Sequence, residues 1–496
     1  MIFFLKKNSI IMKNKHNKIT LMKKLLFGLL SIGLLLTSCS TKEEVKYVRK
    51  NAHSIEAQSD IEAMNKAFEI MKQKGCEDPT SWYYQAAIHW VPTRIYDNQL
   101  CASYTDWTEL KIAWDECTHS HSGAEEINFL IWHRMYIWHL EKIVRKTSGK
   151  KDFALPYWGY TNYDKLDKVM PPMWRDSTSY LYEESRLDSL NAGYPINGAT
   201  LRMLQGQYPK VMEITDYQTF NKTLDQSIHG GMHNYIGSGN AHGEEHYNKI
   251  SQRTTKSGMM SDVATAGFDP IFWAHHSNID RIFQKWLNSP NGQKVTLEQL
   301  EENPWKYEFF DENGKLVNYS AEDVLAIIYN MDYDYDDVVV TENLKATVAQ
   351  IGPKELISAT TPNIFVSEQT QSIGTIDNNQ DYNGVKVLLD IFTTFEDQPN
   401  GLYEIYLNHP EGQEFEVESP TYIGSISFFG ANHGDPRNVE CLKGCCNPVS
   451  EDGKLMTVFT FELNSMDTYN LTIHRSGGHE DFGLKINKLT LRDYNL

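Results

Sequence analysis

Six histidines fall into two separated triads along this chain, and three neutral imidazoles per site are a donor set that suits copper, iron or zinc. In the second triad, His229 and His233 of HGGMHN are four residues apart, so they lie one above the other on a single helix face. His276 closes that set from within FDPIFWAHHSNIDRIFQKW, Phe268 to Trp286. The first triad draws on His89 in SWYYQAAIHW, His133 in NFLIWHRMYIWHLEKIV, and either His119 or His121 in CTHSH. A lone histidine on an apolar helix is more often a satisfied core or surface residue, which is the reading given to His139 and His246.

Ligand rings need rigid elements behind them. Asp269 followed by Pro270 starts a helix, because the carboxylate can accept from free backbone N–H groups and proline lacks the donor that its position would leave unpaired. Ile271, Phe272, Ile279, Ile282, Phe283 and Trp286 then recur at helical spacing, burying one face and fixing the direction of His276. His133 rides on an amphipathic helix from about Asn128 to Val144, and the segment carrying His89 is also helix-like. Asn234 and Asp280 are candidates to orient ligand rings by hydrogen bonding, although Asp280 beside Arg281 reads equally well as an ion pair.

The run D-P-x-F-W-x-x-H-x-x-x-D, Asp269 to Asp280, and the run F-L-x-W-H-R, Phe129 to Arg134, resemble the two copper motifs of tyrosinases and catechol oxidases, the type 3 copper proteins. The likeness extends over roughly Ser81 to Asp337, including FFDENGKLVNY and DYDYDD. It implies two copper ions in a four-helix-bundle site, copper A on His89, His119 and His133 and copper B on His229, His233 and His276, with His275 packing beside them. His119 lies further from His133 than the family spacing, which reads as a small insertion at Gly123 to Ile127. The C-x-H spacing of Cys117 and His119 resembles that of fungal tyrosinases, where the cysteine sulfur is bonded to the ligand imidazole; a free Cys117 beside a His121 ligand is the alternative.

Further positions follow from the same likeness. Val263 aligns where plant enzymes place a phenylalanine that shields copper A, and Gly230 where active monophenolases often carry asparagine. Asp225 is the nearest candidate for the acid that orients a proton-accepting water. The implied reaction is oxidation of o-diphenols to o-quinones, each copper passing one electron to O2, with hydroxylation of monophenols weakened by Gly230 and Asp225. A haemocyanin-like O2 or copper binder without turnover, an o-aminophenol oxidase and a redox-silent zinc hydrolase are the competing readings.

Residues 1–39 read as a signal peptide: Lys23 and Lys24 precede the apolar run Leu25 to Leu36, which is too short to span a bilayer. The LTSC ending at Cys39 resembles a bacterial lipobox, which implies an exported lipoprotein at the outer membrane, cell surface or periplasm, touching membrane only through its anchor. A charged tether (40–54), the dicopper domain (55–340), a polar linker (341–383) and an all-β sandwich (384–496) complete the expected order. The net charge of −18 argues against nucleic acid as a partner. Cys76 and Cys101 could pair, and Cys441, Cys445 and Cys446 could supply a disulfide. The sandwich weakly resembles the β domain that follows the core in plant polyphenol oxidases and haemocyanins, where it can cover the metal pair; a lid and a permanent packing module are both open.

Overall fold

Seven helices organise the N-terminal part of the computed structural model: α1 (Gln58–Gln73), α2 (Trp82–His89), α3 (Asn128–Ser148), α4 (Gly198–Glu213), α5 (Tyr217–Leu224), α6 (Gly230–Ile236) and α7 (Ile271–Leu287). The structure describes residues 47–90, 117–119, 127–238, 246–248, 250, 253–339, 347–348, 356–366, 369–376, 386–399, 401–431, 449–450, 452–463, 468–478 and 483–493. The signal peptide, Cys39, Cys101, His121 and the Cys441, Cys445 and Cys446 cluster lie outside the described residues. Among the described residues no helix is long and apolar enough to cross a membrane.

Three helices that present a histidine, α2, α3 and α7, each have one end set by a local signal. The Ser81 hydroxyl accepts from Tyr84 N at 3.0 Å and starts α2, and Gly149, at φ +81°, takes the left-handed conformation that stops α3. Asp269 accepts from Ile271 N at 3.0 Å just before α7, as its place ahead of Pro270 predicts. The same carboxylate also meets Arg186 at 2.6 Å, with both side chains fully buried.

A charged network locks α3 to α7. Arg134 of α3 reaches Asp280 of α7 at 2.5 Å, and Arg49 bridges Glu141 of α3 at 2.7 Å and Asp280 at 3.2 Å. The Tyr333 and Tyr335 hydroxyls donate to the same Asp280 carboxylate at 2.6 and 2.5 Å. Strands β1 (Tyr47–Arg49) and β2 (Tyr333–Tyr335) supply Arg49 and the two tyrosines by pairing in parallel. The tyrosine-rich DYDYDD run thus closes the helical core around a buried ion cluster. Burial alone would raise the Asp280 carboxyl, but Arg134 and Arg49 hold it below the usual carboxylate range. Arg281 pairs instead with Asp337, so Asp280 is structural and orients no ligand ring directly.

The C-terminal part is a pair of antiparallel sheets built from β3 (Leu356–Thr360), β4 (Ile364–Phe365), β5 (Thr370–Ile376), β6 (Val387–Phe395), β7 (Leu402–Leu407), β8 (Tyr422–Ser427), β9 (Leu455–Leu463), β10 (Tyr469–Gly477) and β11 (Lys485–Asp493). One sheet runs β4-β11-β6-β9 with β3 also on β11; the other runs β5-β10-β7-β8. Six strands, β6 to β11, lie within the span 384–496 expected to be all-β. The expected 341–383 linker is corrected in part, since β3, β4 and β5 within it pair with β10 and β11.

The sandwich has its own core, including Leu389, Ile391, Phe428 and Phe459. Two of its residues, Leu402 and Phe429, are buried instead in the core of the helical part. Polar contacts surround them: Gln207 accepts from Ser425 N at 2.8 Å, Arg202 meets Glu404 at 3.0 Å, and Gln226 donates to Val458 O at 3.1 Å.

Candidate metal centre

Helices α2, α3, α6 and α7, the turn that ends at His229 and the segment 117–119 bring the predicted histidines together. His89, His119 and His133 form one buried group with Cys117, and His229, His233 and His276 form a second with His275; potential ligand atoms in each group lie within 4.8 Å of one another. The two groups adjoin, because the His133 and His276 rings stack at 4.4 Å with an interplanar angle of 8°.

Five of the six rings are oriented in one way. Nδ1 of His89 faces Val263 O at 3.0 Å, Nδ1 of His133 faces Phe129 O at 2.8 Å, and Nδ1 of His233 faces Met260 O at 2.7 Å. Nδ1 of His229 and of His119 face a single atom, Asp225 Oδ1, at 2.8 and 3.3 Å. An oxygen acceptor at Nδ1 places the proton there and leaves Nε2 with its lone pair, which is how a metal-ligating imidazole is held. His276 completes the set, with Nε2 3.4 Å from Nε2 of His233. Burial drives the pKa of His133, His233 and His276 well below 6.5, so these rings are neutral and able to coordinate at ordinary pH.

The family model for the common central domain of tyrosinase matches residues 79–203 and 175–289. A tyrosinase from Hahella sp. (strain CCB-MM4) is 25% identical over 454 residues, 84% of this chain and 90% of its own length. A chloroplastic polyphenol oxidase from Vitis vinifera is 27% identical over 318 residues, 58% of this chain but 46% of the plant protein. In fold, the chain is similar to latent apple tyrosinase, with a TM-score of 0.62 at 17% identity over 91% of this chain and 97% of that one. The central part of the chain, residues 79–289, matches the tyrosinase domain.

The residues present fit the copper pair of a type 3 tyrosinase-family centre. With Nδ1 of His233 on Met260 O, its Nε2 is left to meet Nε2 of His276 at 3.4 Å, so the two nitrogens can be turned towards one ion. His229 Nε2 is fully buried with no hydrogen-bond partner among the described residues. Three neutral imidazoles per ion suit both copper oxidation states. Among neighbouring residues, His275 is closer than a simple packing role requires: Tyr160 OH lies 2.8 Å from its Nδ1, and its Nε2 points into the second group. His139 stacks on Phe309 and meets Tyr319 OH at 3.1 Å, outside both groups. The buried Cys117 sulfur lies 3.8 Å from His133 Nε2, within the first group. Cys76 is disulfide-bonded.

Four further residues singled out in the sequence take up defined contacts in the folded chain. Asp225 is fully buried against two ligand histidines and is engaged by their rings; burial alone would raise its carboxyl, yet His119 and His229 hold it well below the usual range. At Gly230 an added Cβ would lie 3.1 Å from Phe429 Cβ and 3.2 Å from Ser427 Oγ, so a side chain there would press on the sandwich. Val263 contributes its backbone carbonyl, which orients His89. Asn234 donates to Ser427 Oγ at 2.9 Å and so ties the helix to the sandwich.

Phe429 is the site residue that pattern reading passed over. Its ring stacks on His233 at 4.0 Å and 15°, and lies 5.6 Å from the His229 ring and 5.7 Å from that of His119. The signal was present in YIGSISFF: of the two phenylalanines that follow β8, Phe428 enters the sandwich core and Phe429, in the turn after it, is buried in the helical core.

Proposed function

We propose that this chain is a dicopper oxidase that converts o-diphenols to o-quinones with O2, and that the sandwich keeps it closed through Phe429. The observation that carries the reading is the shared orientation of five rings, each with Nδ1 on an oxygen and Nε2 turned inward, beside an apolar aromatic surface. Copper bound there would supply the one-electron steps that couple a catechol to O2. The chain's own part is to hold His89, His119 and His133 for one ion and His229, His233 and His276 for the other, and to exclude water around them.

Diphenols are favoured over monophenols. Hydroxylating a phenol calls for a base that first takes the phenolic proton, and here the nearby Asp225 carboxylate is committed to ring N–H groups while residue 230 carries no side chain. A catechol brings both hydroxyls and both electrons with it. Oxygen uptake by the copper-loaded protein with a catechol, the parent phenol and an o-aminophenol tests the assignment. The catechol should be consumed fastest, and a protein with both coppers and an opened sandwich that consumes none would support the carrier reading.

Closure follows from Phe429, whose ring fills the face of His233 that an aromatic substrate would approach. The lipobox-like LTSC supports export and anchoring through Cys39, with a small phenolic substrate and O2 as partners. Substituting Cys39 by Ser should release the chain from the membrane fraction; unchanged membrane association would count against the anchor.

A further inference from the structure

The two metal sites share one support. Helix α5 does not run straight into α6: residues Asp225–His229 form a π-helical turn between them, and Ser227 Oγ donates to Thr223 O at 2.5 Å within it. Such wide turns are found where a helix re-aims a functional side chain. Here the turn brings the Asp225 side chain over the ring four residues later, so that Oδ1 lies 2.8 Å from His229 Nδ1. The same oxygen lies 3.3 Å from Nδ1 of His119, which belongs to the other histidine group and comes from a distant segment. The two rings stack with centroids 5.4 Å apart and an angle of 28°.

We propose that Asp225 is a positioning residue common to both coppers, a single carboxylate oxygen that fixes one ligand of copper A and one of copper B relative to each other. The proposal rests on the assignment of these histidines as ligands and is independent of which phenol is oxidised. Its physical content is that neither ring can turn without losing a charge-assisted hydrogen bond in a fully buried place. An ordinary support of one site would touch one ligand. The carbonyls of Val263, Phe129 and Met260 do that, each holding a single ring.

The test is anaerobic titration of the metal-free full-length protein with Cu(I) against a chromophoric chelator, which reads affinity and stoichiometry without turnover. Asp225→Ala should weaken both ions together, each by roughly 10- to 100-fold, the usual effect of removing a group that orients a ligand histidine. Asp225→Asn, which keeps an oxygen but not its charge, should weaken both by less. Tyr319→Phe, altered beside His139 and outside both groups, should bind as wild type. Folded Asp225→Ala protein, judged by near-UV circular dichroism, with wild-type affinity for both ions or a loss confined to one would overturn the proposal. Should the alanine variant not fold, Asp225→Asn decides in the same terms: joint weakening supports the shared clamp, and loss at one ion or at neither refutes it. Wild-type protein that takes up no copper would instead defeat the ligand assignment.

Discussion

Removing the Phe429 ring tests closure most sharply. The side chain is 1% exposed and stacks at 4.0 Å on His233, so opening the sandwich must expose it. Burying a phenylalanine is worth about 1.5–3 kcal/mol, and an aromatic stack adds about 0.5–1.5 kcal/mol. Together these give about 2–4.5 kcal/mol, which at about 1.36 kcal/mol per tenfold corresponds to a shift of roughly 30- to 2,000-fold towards the open form. The Arg202–Glu404, Gln207–Ser425 and Asn234–Ser427 contacts remain, so the sandwich should stay attached. Catechol oxidation is then measured for wild type and Phe429→Ala, before and after limited proteolysis, at equal copper content. The untreated variant should approach the rate of cleaved wild type, and cleavage should add little to it. An untreated variant with both coppers and the rate of uncleaved wild type would refute the reasoning and leave the sandwich as a packing module.

Three further outcomes follow from the same contacts. Gly230→Asn places a side chain where Phe429 and Ser427 sit, so it should raise catechol turnover by loosening closure; a selective gain in phenol hydroxylation, with catechol turnover unchanged, would instead restore the water-orienting role. Asp269→Ala strips Arg186 of its buried partner and should cost about 3–5 kcal/mol in denaturant unfolding of the metal-free protein; a loss below about 1 kcal/mol would show that the pair does not secure α7. His133, His233, His275 and His276 all have pKa values depressed well below 6.5 by burial. The unfolded chain therefore gains protons below that pH which the native state does not, and the Tm of metal-free protein should fall as pH drops from 7 to 5, with up to about 1.4 kcal/mol per pH unit for each group. A flat Tm over that interval would contradict the neutral buried rings.

Much of the centre was legible because its parts are local. The Asp269–Pro270 start, the apolar spacing that aims His276 and the His229–His233 interval each lie within a turn or two of helix. What was not legible depends on chain segments far apart. Asp225 reaches His119 only because a π turn redirects it, and composition carries no mark of that turn. Arg49 finds Glu141 and Asp280 across long sequence gaps, so the tyrosine-rich run could be recognised but not given its role. In TQSIGTI only Ile373 and Ile376 are buried; the polar remainder read as a linker, yet pairing with β10 makes it a strand.

The central claim is that two coppers held by these two histidine groups act together on a diphenol. Its most direct measurement is the initial rate of O2 uptake with a catechol as the metal-free protein, opened by proteolysis, is loaded stepwise with copper. Uptake should appear in proportion to chains carrying both ions and be absent when zinc is loaded instead. Full uptake at one copper per chain, or none in opened protein holding two, would contradict the account.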